Sequence, residues 1–227
     1  MRTISVVLSL LAFASQAAAA DGSSPHLVEL SYRMAVGADG KAATLTPLRE
    51  LPPAIDAWVQ ARVRGYTFAP ATVNGQPQPA TTTLRIVLAP VRQADGKAGY
   101  RITDVATGPR LVRGRFDYYP RTMGAGYFRV AYDAKGKVTK AEPMAGMPFV
   151  GDAAFRKWAL SLARSFRFEP ETVAGAGVPD AGIVPINYCL DDRCPSLPPP
   201  PMPAGHALEG GLVASSVLAL QSPMDGS

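Results

Sequence analysis

The feature that most constrains this chain is an internal repeat. Trp58 and Trp158, its only tryptophans, are 100 residues apart. The same offset pairs Ala54 with Ala154, Arg64 with Arg164, Phe68 with Phe168, Pro70 with Pro170, Thr72 with Thr172, Val73 with Val173 and Gly75 with Gly175. Upstream, Asp39-Gly40-Lys41 answers Lys135-Gly136-Lys137 at an offset of 96, so the second copy carries four extra residues between turn and helix. A recurrent Phe-x-Pro-x-Thr-Val-x-Gly at a fixed distance from tryptophan marks a duplication, and whatever one copy folds into the other should approximate.

Each copy begins with a period of two, which predicts a half-buried strand. Val28, Leu30, Tyr32, Met34 and Val36 carry it in the first copy, Phe128, Val130 and Tyr132 in the second. A glycine turn at Gly40 or Gly136 reverses the chain into a second strand, clearest around Val138. A helix follows. Phe155, Trp158, Ala159, Leu162 and Phe166 form one apolar stripe, with Asp152 placed to cap its start. Ile55, Trp58, Val59, Val63 and Tyr66 form a similar stripe, entered through Pro52 and Pro53. These aromatics are read as core packing over a sheet rather than as a ligand box. Final strands are predicted over 82–88 and 182–190. The fold class is therefore α+β: two tandem ββαβ modules, each a small antiparallel sheet with one amphipathic helix on a face.

The flanks differ in character. Arg2, the apolar run 4–13 and the alanines at 17–20 have the order of a cleaved secretory signal. The run is short of the ~20 residues that cross a bilayer, and no later segment reaches that length either. Export makes the two cysteines, Cys189 and Cys194, a candidate disulfide. So short a loop contributes roughly 2 kcal/mol on the chain-entropy model. A metal pair would need more ligands, and a redox motif would place two residues between the cysteines rather than four. The net charge of +5 is scattered, apart from Arg110, Arg113, Arg115 and Arg121, so no nucleic-acid face is indicated. Prolines dominate 195–203, and the tail is expected to be extended and mostly disordered. The expected organisation is a signal at 1–20, a first module at 27–92, a linker at 93–116 with a possible strand at 100–105, a second module at 117–194 and a tail at 195–227.

No residue pattern supports catalysis or a cofactor. His26 and His206 lie outside both copies, so no triad base is at hand. Asp191 and Asp192 are adjacent in a tight loop and read as a solvated turn. Gly124-Ala125-Gly126 and Gly175-Ala176-Gly177 lack the strand–turn–helix setting and lysine of a phosphate loop.

In their order, these motifs resemble the TonB C-terminal domain family. The second copy supplies Tyr119-Pro120, Gly136-Lys137, Phe168-Glu169-Pro170 and Val184-Pro185-Ile186-Asn187-Tyr188. The first supplies Gly40-Lys41, Phe68-Ala69-Pro70-Ala71 and Asn74-Gly75-Gln76-Pro77, but lacks the tyrosine-proline and the closing strand motif. The resemblance implies a periplasmic binding module that captures an extended segment of an outer-membrane TonB-dependent receptor, or of another envelope protein, by strand addition to a sheet edge. It places Tyr119 and Pro120 beside the docking groove and makes Ile183, Val184, Pro185, Ile186 and Tyr188 the edge. Pro185 cannot donate to a ladder, so its strand is expected at or near an edge. The plainer reading stays open: Ile186 and Tyr188 are core, and Pro185 blunts the edge. Unlike a full transducer, the chain has no expected membrane anchor, and its proline-rich stretch follows the modules, which argues against energy transduction by it alone. A structural or assembly factor that self-associates into a homodimer is the alternative.

Overall fold

The computed structural model describes residues 27–92, 96–112, 120–190, 197 and 218–220. The expected signal segment, both histidines, Tyr119 and Cys194 lie outside these residues. In chain order the elements are β1 (Val28–Val36), β2 (Ala42–Pro47), α1 (Pro53–Val63), β3 (Phe68–Ala69), β4 (Ala71–Val73), β5 (Gln76–Gln78), β6 (Ala80–Arg92), β7 (Ala98–Gly108) and β8 (Arg110–Val112). They continue with β9 (Gly124–Tyr132), β10 (Val138–Pro143), β11 (Phe149–Val150), α2 (Ala153–Ser165), β12 (Arg167–Glu169), β13 (Thr172–Val173), β14 (Ala176–Gly177), β15 (Asp180–Tyr188) and β16 (Ala219–Leu220). Every strand pairing among the described residues is antiparallel, so the fold is α+β.

The larger sheet runs β2–β1–β6, with β7 along the outer side of β6 and the β13–β14 hairpin beside its first residues. The smaller sheet centres on β9, flanked by β10 and β11 on one side and β15 on the other. Each sheet has its own core. Leu30, Tyr32, Met34, Val36, Val59, Val63, Phe68, Leu84, Ile86 and Leu88 fill the first. Phe128, Val130, Tyr132, Phe155, Trp158, Leu162, Phe166, Phe168, Val184 and Ile186 fill the second. The alternation expected in β1 is buried from Leu30 to Val36, with Val28 half-buried, and the stripe expected on α2 is buried throughout. Asp152 caps α2 by accepting from Phe155 N at 2.8 Å. The α1 stripe is weaker: Val59 and Val63 are fully buried, whereas Trp58 packs at the rim under the Arg62 guanidinium, 5.8 Å from its ring centroid. Trp158 is inside, between Phe155 and Tyr188 at 5.8 and 5.3 Å. The two tryptophans share a position on their helices but not their depth.

Both turns close on the phenylalanine beyond the helix. Phe68 N donates to Gly40 O and Phe168 N to Gly136 O, each at 2.9 Å. Gly40 and Gly136 have φ of 76° and 73°. A Cβ on Gly136 would stand 1.7 Å from Phe168 O, so no other residue fits there. Gly124 and Gly126 serve packing: Cβ atoms on them would lie 2.2 and 2.6 Å from the rings of Phe155 and Phe149.

Three features depart from the sequence expectations. The segment 93–116, expected to be a linker, carries β7, an 11-residue strand paired to β6, and β8, which pairs with β12. The strand glimpsed at 100–105 is the middle of β7. The tail is not solvated throughout: Leu218 is 2 % exposed within the first core, and β16 pairs with β3. The two halves also pack together. Thr82 Oγ1 donates to the buried Glu171 Oε1 at 2.5 Å while accepting from Gly108 N at 3.0 Å. Arg33 and Arg110 both pair with Glu169. The β6–β7 pair is a hairpin of consecutive strands, whereas β8–β12, β16–β3 and the contacts of Glu169 and Glu171 join residues far apart in sequence, beyond the reach of periodicity and turn chemistry.

Candidate partner-binding edge

The geometry of β15 follows from one bond. Met144 N donates to Tyr127 O at 2.8 Å, and Met144 follows β10 directly, so Tyr127 turns its backbone groups towards β10. Thr139 Oγ1 on Ala131 O at 3.3 Å agrees. Lateral direction alternates along a strand, so Gly126, Phe128, Val130 and Tyr132 face β15. Their partners are Ile186, Val184, Gly182 and Asp180. Ala181, Ile183, Pro185 and Asn187 therefore turn their backbone groups outward, where the described residues include no strand.

Pro185 thus sits where its missing N–H costs the ladder nothing. Ala181 N is also taken, by its neighbour Asp180 Oδ1 at 2.7 Å. The outer edge offers four carbonyls, at 181, 183, 185 and 187, but donors only from Ile183 and Asn187. Two of four donors are withheld, as in edges guarded against indiscriminate pairing.

The side chains are ordered by the same alternation. Val184 and Ile186 are 2 % and 3 % exposed and belong to the core, and Tyr188 lies against Trp158. Ile183 and Pro185 are half-buried on the opposite face. Behind them Tyr127, across from Pro185, is buried deeply enough that desolvation raises its phenol pKa. One face at this point is core and the other is half-covered, so the backbone of the edge is reached laterally. Of the sequence-derived candidates, Ile183 and Pro185 lie on the edge, Val184, Ile186 and Tyr188 support it from the core, and Pro120 is buried ahead of β9. Tyr119 lies outside the described residues. Cys189, at the end of this strand, is disulfide-bonded, and the chain's other cysteine is Cys194. Asn187 falls within the expected edge segment 183–188, whereas sequence reasoning missed Asp180, for which an aspartate at the first residue of a strand was the available signal.

The corresponding edge of β6 is closed. Leu48 N donates to Ser31 O at 2.9 Å, which turns the even residues of β1 and β6 towards each other and Thr83, Arg85 and Val87 outward. β7 pairs opposite them, at Gly108, Ala106 and Asp104, and Thr103 Oγ1 reaches Val87 O at 3.2 Å. β13 covers Ala80 and Thr81.

No helix among the described residues is long and apolar enough to cross a membrane. No family model matches the chain, and comparison with curated proteins and with solved structures finds no match.

Proposed function

We propose that the chain is an exported, periplasmic binding protein of two ββαβ copies, similar to the TonB C-terminal domain. Its second copy captures an extended segment of an outer-membrane receptor or other envelope protein by strand addition to the outer side of β15. The carrying observation is the contrast between the two edges: one is filled by the chain's own β7, and the other has no described strand beside it. With the outer side of β6 filled by β7, this mode of capture is assigned to the second copy.

Donor arithmetic favours a foreign strand over a second β15. A peptide with a complete set of N–H groups can donate to the carbonyls at 183, 185 and 187 and receive from Ile183 and Asn187. Two β15 strands paired antiparallel about Pro185 would set proline against proline, leaving both carbonyls there without a donor. Strand addition draws its affinity from main-chain hydrogen bonds and its selectivity from side-chain pockets. Here the half-buried Ile183 and Pro185 provide the adjacent apolar surface.

The test is a titration of labelled protein with peptides from the N-terminal segments of outer-membrane receptors. The amide signals of Ile183 and Asn187 should shift, and those of Val184 and Ile186, which face β9, should move least. Uniform silence across such peptides rejects the reading.

A further inference from the structure

Leu218 occupies a seat on the first half of the molecule, away from β15. The chain leaves the β15 sheet at Tyr188, and after an interval of 29 residues Leu218 appears in the other core. Its side chain is 2 % exposed in the cluster that includes Phe68 and Val105, and its carbonyl accepts from Thr107 Oγ1 at 2.8 Å. The next two residues run antiparallel to β3, Ala219 opposite Ala69 and Leu220 opposite Phe68. Phe68 donates inward to Gly40, so Ala69, next along, turns its backbone groups towards Ala219. Recognition thus needs one leucine, one backbone carbonyl and one short ladder, and no charge.

We propose that this seat between β3 and β7 is exchangeable: it accepts an extended partner peptide bearing a leucine among small residues, and 218–220 is a built-in competitor that occupies it in the unliganded chain. Two magnitudes support exchange. One buried leucine holds a segment closed by a factor on the order of 10², far less than the cooperative stability of a whole sheet, so the seat can open while the fold persists. A segment covalently joined to its own seat competes at an effective concentration on the order of millimolar. Short foreign peptides at micromolar concentration are therefore excluded, and a partner able to extend the ladder along β3 and β4 can displace the tail.

The test uses the full chain carrying Leu218→Asp, which cannot seat its tail, and a fluorescent peptide with the sequence of residues 215–221. The variant should bind the peptide at least tenfold more tightly than wild type does, and the peptide with aspartate in place of its Leu218 should not bind. A folded variant that fails to bind, or equal binding to both proteins, overturns the proposal. If the wild type instead forms dimers that Leu218→Asp abolishes, the seat belongs to a second copy's tail and the proposal also falls. Should the variant not fold, hydrogen exchange on wild type decides: the Ala69 and Ala219 amides should exchange at least tenfold faster than Leu84 in β6. Equal protection means that the tail opens only with the whole fold, and refutes exchange.

Discussion

Arg85 and Pro185 stand at the same step of their strands, one opposite Ser31 and the other opposite Tyr127. Both turn their backbone groups away from the central strand. Arg85 is met there by Ala106 of β7, and Pro185 by no described residue of a strand. The difference between a closed and an open edge is concentrated in this pair, and it bears directly on what substitutions should do.

Replacing Pro185 with valine restores an outward donor and leaves the β9 ladder untouched. Stability should change by less than about 1 kcal/mol, while self-association rises, because the proline no longer interrupts pairing of two β15 strands. Sedimentation velocity across a concentration series, beside a denaturant melt, checks both. A loss of several kcal/mol would mean that the Pro185 nitrogen faces β9 after all.

The tryptophans should behave unequally. Trp158→Ala removes a side chain 4 % exposed and ringed by Phe155 and Tyr188, and should cost about 3–5 kcal/mol. Trp58 lies at the rim, and its loss should cost roughly half as much, since less area leaves water. Urea unfolding of the two variants gives the ratio.

Two exposed aspartates set an acid limit. Asp133 is held below its usual pKa by the backbone N–H of Lys137, then that of Lys135, and Asp152 by the N–H of Phe155, with Thr122 adding to it. A carboxylate with a depressed folded pKa contributes stability that is present above its unfolded value, ~3.9, and is lost as pH falls through the folded one. Melting temperature should therefore decline below about pH 4. Asp133→Asn and Asp152→Asn together should flatten that decline, since asparagine caps without titrating. An unchanged acid slope would show that other carboxylates dominate.

The turn at Gly136 should tolerate nothing larger. Gly136→Ala combines a left-handed φ of 73° with a Cβ 1.7 Å from Phe168 O, and a loss of at least ~3 kcal/mol is expected. Ala174, exposed with φ of 50°, is the converse case: Ala174→Gly should stabilise by about 0.5–1 kcal/mol. Thermal unfolding of both variants tests the pair of signs.

What the sequence determined by itself is local. The alternation of β1 and the α2 stripe state which faces are apolar, Asp152 states where a helix starts, and Gly40 and Gly136 state where the chain reverses, because each rests on a period or a backbone preference within a few residues. Pro185 pointed to a strand at or near an edge, and among the described residues only β9 pairs with β15. Tertiary structure alone decided that β6 is paired on its outer side while β15 has no described strand there. Nothing in residues 98–108 declares that they, rather than a partner, lie along β6, and nothing in the tail declares that Leu218 enters the first core. Main-chain ladders are nearly indifferent to side-chain identity, so the choice among competing strands is made by distance, chain connectivity and the shape of the hole left in the core.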